Sequence, residues 1–249
     1  MPMVFHRRKD WQTESAGFTL VELVVVIAIA SVLAALMLPS LSSAKEKSRR
    51  AVCKGNIRQL LQTLDLYADD NSQFLPSSKD NIGNYHSIRL SDAMFTNLVD
   101  LAGGNSNIFY CPNIVFGGGP VAQHDKYGYV IGYSYLAANI QGTIKGADTW
   151  DGPTKWTDPP STPLIADANY WTLASSSLPA LLKVAPHTDM GAATTSGSSF
   201  TVGLSGISSA SIGAVGGNVG YLNSSVVWRS MGQMQTYAAS SQSDGYGNW

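Results

Sequence analysis

Charge, histidine and cysteine are all scarce in this 249-residue chain, and each scarcity excludes something. Charged residues make up only 13%, against about a quarter in ordinary globular proteins. Ser, Thr, Asn and Gly carry the polarity instead, which suits an exported protein packed against copies of itself. The 16 basic and 17 acidic residues leave a net charge of -1, so no excess of positive charge points to nucleic acid. Four histidines, His6, His86, His124 and His187, show no metal-ligand spacing such as H-E-x-x-H. His187 and Asp189 supply the residue types of a base and its orienter. No G-x-S-x-G or other nucleophile motif accompanies them, and a structural or surface histidine is the preferred reading.

What the chain does have is one long apolar run. Phe18 to Leu38 spans 21 residues with a single acid, Glu22. At about 1.5 Å per residue, such a helix just crosses a hydrocarbon core of roughly 30 Å. A carboxylate near the centre of such a helix costs about 2.5 kcal/mol or more. Glu22 lies nearer the end, where the cost is lower but still calls for a partner. Arg7, Arg8 and Lys9 precede the run and by the positive-inside rule keep the N-terminus cytoplasmic, with everything after Leu38 outside. An ordinary signal peptide has an apolar core of about 7–15 residues without an acid, which this run does not match.

Gly17-Phe18-Thr19-Leu20-Val21-Glu22, placed in register with that run, closely resembles the processing site of type IV prepilins and type II secretion pseudopilins. The resemblance implies cleavage by a prepilin peptidase between Gly17 and Phe18 and N-methylation of Phe18. It further implies a register role for Glu22 as the fifth mature residue and a helix kink at Pro39. Later pieces are similar to a bacterial group of prepilin-like proteins with a long C-terminal domain. They are Cys53-Lys54-Gly55-Asn56-Ile57, Tyr67-Ala68-Asp69-Asp70-Asn71, Leu75-Pro76, Cys111-Pro112 and His187 ahead of a late strand. That group ends in an Asp-Gly turn before a Val-x-Trp strand. Here Val226-Val227-Trp228 is in place, but Asn223-Ser224 stands where Asp-Gly would be, and the spacer after His187 is long.

Beyond Pro39, Cys53, Ile57, Leu60 or Leu61, Leu64 and Tyr67 recur at helical spacing, predicting an amphipathic continuation to about Asp70. Lys45, Lys47, Arg49, Arg50, Lys54 and Arg58 lie along it. They suit lipid headgroups, contacts between subunits or a plain solvated face. A short helix is expected near Ser91–Leu101, ended by Gly103-Gly104. Strands are expected at Tyr127–Leu136, Pro163–Ala168, Ser199–Leu204, Val219–Tyr221 and Ser225–Arg229, with residues 191–217 as a long exposed loop. A long helix followed by a mostly antiparallel sheet is an α+β pattern, in agreement with the pilin-like fold that the resemblance implies. The expected divisions are a leader at 1–17, a membrane or filament-core helix at 18–38, its amphipathic continuation at 39–70 and an exported globular domain at 71–249.

Outside the membrane, Cys53 and Cys111, the only cysteines, favour a disulfide over two buried thiols. It would close a loop of nearly sixty residues and contribute about 4 kcal/mol in the chain-entropy model. No cofactor is expected. Asp148, Asp151 and Asp158 offer oxygens of the kind calcium takes, but not at EF-hand spacing, so a structural calcium has no assigned place. Trp150, Trp156, Tyr170 and Trp171 suit either core packing or a sugar- or protein-binding patch. The resemblance implies a non-enzymatic filament subunit held in the bacterial inner membrane. Its partners would be prepilin peptidase, other pilin or pseudopilin subunits and assembly-platform proteins. The alternative is an anchored exported enzyme or carbohydrate-binding domain, which a deep polar cleft around His187 would favour.

Overall fold

The computed structural model describes residues 17–114, 123–137, 139–140, 148–172, 183–189, 191–193, 208–210, 213–241 and 245–249. Contacts divide the chain into two units, residues 1–41 and 42–249. The leader residues Arg7, Arg8 and Lys9, and the strand expected at Ser199–Leu204, lie outside the described residues.

One helix, Leu20–Asp70, runs through both units, with Pro39 inside it. In the first unit its side chains are exposed along the whole length, including Leu20, Val24, Ile27, Leu33 and Leu38. This segment is long and apolar enough to cross a membrane. In the second unit the helix buries Glu46, Cys53, Ile57, Leu60, Leu61, Thr63, Leu64 and Ala68, a stripe at the expected spacing of three, four and seven. The helix stops where expected. Ser72 and Gln73 turn left-handed, at φ 53° and 68°, and the Asn71 side chain donates to the Tyr67 carbonyl at 2.8 Å.

A four-stranded antiparallel sheet receives the stripe. Its order is Val226–Ser230, Gly216–Tyr221, Pro163–Asp167 and Tyr133–Tyr135. Closest approach is at Gly220, where an added Cβ would lie 2.7 Å from Ile57 Cγ2 and 2.9 Å from Leu61 Cδ1. Glycine there lets the helix sit directly on the strand. A five-stranded sheet follows, in the order Gly191–Ala193, Lys183–Thr188, Tyr170–Thr172, Gly245–Asn248 and Thr236–Ala238. Its pairings are antiparallel too. The second helix, Asp92–Leu101, has Ser91 as N-cap accepting from Met94 N, and left-handed Gly103 and Gly104 follow it. The fold is therefore α+β, a long helix with antiparallel sheets.

Two expectations need correction. Tyr127–Leu136 is not one strand. Gly128–Val130 and Tyr133–Tyr135 join different sheets, and the chain turns at Gly132, whose N–H donates to the Phe109 carbonyl at 2.8 Å. A Cβ on Gly132 would lie 2.5 Å from Cys111 N, so this close approach seats Cys111 against the sheet. Residues 191–217 are not a uniform exposed loop: Gly191–Ala193 is a strand, Ser209 is buried and Gly216-Gly217 open another strand. In the late hairpin the left-handed residue is Ser224, at φ 61°. Asn223 serves through its side chain instead, accepting from Ser225 N at 3.0 Å.

The Gly220 contact yields a stability test. Gly220→Val forces methyls against Ile57 and Leu61, and overpacking of this kind costs about 1–3 kcal/mol. Denaturant unfolding of the purified chain should show that loss, whereas Gly232→Val, with no neighbour near its Cβ position, should not lose as much.

Candidate functional site

The processing segment begins where backbone donors are orphaned. The first N–H groups of a helix have no partner within it, and here Thr19 and Glu22 supply one. Thr19 N and Oγ1 donate to Glu22 Oε2 at 2.9 and 2.7 Å, and Glu22 N donates to Thr19 Oγ1 at 3.2 Å. This reciprocal pattern is a capping box, and its T-x-x-E signature is readable in the sequence. Glu22 thus has an intramolecular job that the apolar run alone does not reveal. Gly17 and Phe18 precede the helix and are exposed. Pro39 does not end the helix.

A second constellation lies inside the second unit. Glu46, on the helix, is buried at 3% exposure, and His187, on the Lys183–Thr188 strand, at 0%. Glu46 Oε1 faces His187 Nδ1 at 2.7 Å and accepts from Arg50 Nε at 2.9 Å. Glu46 Oε2 accepts from Asn113 Nδ2 at 2.7 Å. That nitrogen also donates to the Pro186 carbonyl at 2.7 Å, while Arg49 Nη1 donates to Asn113 Oδ1 at 2.9 Å. Arg50 reaches the Thr188 carbonyl at 3.0 Å and lies over the Trp228 ring at 4.5 Å.

On its other side His187 meets Asp167, with Nε2 and Oδ2 3.2 Å apart. Asp167 Oδ2 also accepts from Asn218 N at 2.6 Å and Asn218 Nδ2 at 2.9 Å. Cys53 and Cys111 complete the group. They are free thiols with Sγ atoms 2.8 Å apart, so the expected disulfide is not made in this structure. Cys53 comes from the helix and Cys111 from the segment that the close approach at Gly132 presses inward.

These neighbours shift one another. Burial alone would push the His187 pKa down, but the Asp167 carboxylate and the Cys111 sulfur outweigh it and raise it to about 10. Burial likewise works against the Glu46 carboxylate, yet hydrogen bonds from Arg50, Asn113 and His187 hold its pKa below the usual value. Burial pushes the Cys53 thiol well up.

The structure separates the remaining candidates. The carboxylates facing His187 are Glu46 and Asp167, not Asp189, and full burial leaves the imidazole no access to a substrate. Among the described residues, Asp148, Asp151 and Asp158 do not come together as a donor group. Asp158 Oδ2 instead accepts from the backbone N–H groups of Thr154 and Lys155. Trp150, Tyr170 and Trp171 are core residues. Trp150 Nε1 donates to the Leu136 carbonyl, and Trp171 stacks on Tyr246. Trp156 is partly buried against the same core. Of the basic cluster, Arg49 and Arg50 turn inward, while Lys45, Lys47 and Arg58 are exposed. Sequence reasoning missed Glu46, Asn113 and Asp167. The available signals were an acid four residues before Arg50 and an acid closing the apolar Pro163–Asp167 strand.

The prokaryotic N-terminal methylation motif matches residues 14–38. The type II secretion system core protein G of Pseudomonas aeruginosa is 36% identical over 69 residues, 28% of this chain and 48% of that protein. The protein of the same name from Dickeya chrysanthemi is 42% identical over 67 residues, 27% and 43% of the two chains. A type IV wide pilus major component of Thermus thermophilus is 34% identical over 58 residues, 23% and 44%. The chain spans less than half the length of each of these relatives, and no solved structure matches it. Its N-terminal segment, which holds Gly17, Phe18, Thr19 and Glu22, thus carries the prokaryotic N-terminal methylation motif and is similar to the same part of type II secretion pseudopilins.

Proposed function

We propose that the chain is a structural, non-enzymatic subunit of a type II secretion pseudopilus or a type IV pilus-like filament. Prepilin peptidase cuts between Gly17 and Phe18 and methylates Phe18. The Phe18–Leu38 segment holds the subunit in the inner membrane, N-terminus cytoplasmic, until an assembly platform extracts it. The observation that carries this reading is the exposed apolar first part of the helix beginning inside the methylation motif. An apolar surface that large needs lipid or other subunits to cover it. A contact repeated head-to-tail without closure gives a filament, and Glu22 sets its register by pairing with the methylated Phe18 ammonium of a neighbour. Pro39, which removes one hydrogen bond from the helix ladder, has the kink role that the resemblance implies. The anchored-enzyme alternative needs a cleft around His187, and the sealed imidazole does not favour it.

The processing step is tested by mass spectrometry of the mature chain. The expected N-terminus is N-methyl-phenylalanine at Phe18, and Gly17→Ala should sharply reduce cutting. A mature N-terminus after Ala30, where the small residues of Ala28-Ile29-Ala30 mimic an ordinary signal-peptidase site, would contradict the reading. Glu22 is tested by two substitutions, because it both caps its own helix and carries a charge. Glu22→Gln keeps the capping box but removes the charge that pairs with an ammonium; Glu22→Val removes both. Each variant should be processed and stay in the membrane, and each should fail to enter sheared filaments viewed by electron microscopy. Wild-type assembly of Glu22→Gln would show that capping alone is what the filament requires of this residue.

A further inference from the structure

We propose that Cys53, Cys111, Asp167 and His187 are the ligands of one buried divalent metal ion, zinc by donor type. Their donor atoms all lie within 4.8 Å of one another, although they come from the helix, the segment before Pro112 and two strands of different sheets. All four side chains are at 0–1% exposure, so the group is a closed set with no open position, the arrangement of structural rather than catalytic zinc.

Two atoms inside this group are poorly satisfied. Asp167 Oδ1 is buried with no hydrogen bond, and His187 Nε2 is buried with no aligned one, only the 3.2 Å contact to Asp167 Oδ2. Buried polar atoms left in this way are rare in folded proteins. The opposite atom of each side chain is firmly held. Asn218 donates twice to Asp167 Oδ2, and Glu46 Oε1 lies 2.7 Å from His187 Nδ1. With Nδ1 donating to Glu46, Nε2 is the nitrogen left for the group, and it becomes a ligand once its own proton leaves. A carboxylate behind the distal nitrogen of a histidine is the usual way a metal ligand is oriented.

The donor types narrow the ion. Two sulfurs and an imidazole suit zinc; calcium takes oxygen. Two thiolates and a carboxylate around a divalent ion leave one negative charge, Glu46 adds another, and Arg49 and Arg50 stand beside the network to balance both. Zinc–sulfur bonds of about 2.3 Å in a tetrahedron hold the sulfurs about 3.7 Å apart. Binding therefore opens the present 2.8 Å contact by about 1 Å, with the thiol protons and the proton on Nε2 leaving to solvent. No electrons move. The same two sulfurs could instead lose two electrons to an oxidant and form a disulfide, and the two outcomes exclude each other.

The test uses the full chain in detergent, isolated without added reductant, and then a reduced, metal-stripped sample titrated with cobalt(II). One equivalent of cobalt should bind with the visible bands of tetrahedral coordination and an ultraviolet sulfur-to-cobalt band, and zinc should displace it. Cys111→Ser should weaken the sulfur band, and the double variant Cys53→Ser with Cys111→Ser should lose it. Glu46→Gln should keep the coordination but bind about 10–100-fold more weakly, as expected of a residue behind a ligand. Circular dichroism confirms that each variant is folded, and the wild-type stoichiometry and sulfur band stand without any variant. A Cys53–Cys111 disulfide in peptides of the isolated chain would overturn the proposal. So would a folded, reduced wild-type chain that binds no cobalt, or a sulfur band that survives at full strength in Cys111→Ser or at all in the double variant.

Discussion

The contact between Glu46 and His187 is the constraint around which the second unit, residues 42–249, is arranged. A helix that carries a carboxylate into a protein interior must bring it to partners, because a buried charge left alone costs several kcal/mol. Glu46 finds Arg50 one turn along its own helix, Asn113 from the segment after Cys111 and His187 from the five-stranded sheet. Asp167, from the four-stranded sheet, closes the far side of the imidazole. One histidine thus links the helix to two sheets that have no strand in common. Apolar contacts such as Ile57 and Leu61 on Gly220 provide area. The polar group fixes register, since sliding the helix by one turn would leave Glu46 without its partners.

The two parts of the helix face different solvents, and the sequence divides accordingly. Up to Leu41 nearly every residue is apolar and exposed, which only lipid or neighbouring subunits can satisfy. After it, apolar residues contract to a stripe, and charge appears on the remaining faces. Thr19 and Glu22 start the helix from within the first part by satisfying its orphaned N–H groups. The same carboxylate is the one charge in this part of the helix, so capping and the proposed pairing would draw on one group.

The local signals were the legible ones. The apolar run, the stripe from Cys53 to Leu64, the helix end near Asp70 and the Ser91 cap all follow from patterns that span a few residues, and the structure places them where those patterns indicate. The Tyr127–Leu136 segment misleads because its alternation continues smoothly across Gly132. The break comes from a distant backbone at Phe109 and Cys111, which no local pattern encodes. The group around His187 was illegible for the same reason. Its members at 46, 53, 111, 113, 167 and 187 share no spacing, and Asp189 is nearer in sequence than either carboxylate that His187 meets. Burial was the missing information: an acid ending an apolar strand reads as a surface residue until a helix covers it.

The most direct measurement of this account is a double-mutant cycle on Glu46→Gln and His187→Gln, read by denaturant unfolding of the full chain with chelator present. Residues in one buried network couple by about 0.5–3 kcal/mol, whereas independent sites add within about 0.3–0.5 kcal/mol. If the contact organises the second unit, each single variant should be destabilised and the double variant should lose at least about 1 kcal/mol less than the sum. Additive losses would mean that the two residues act independently and that the helix is held by its apolar stripe alone.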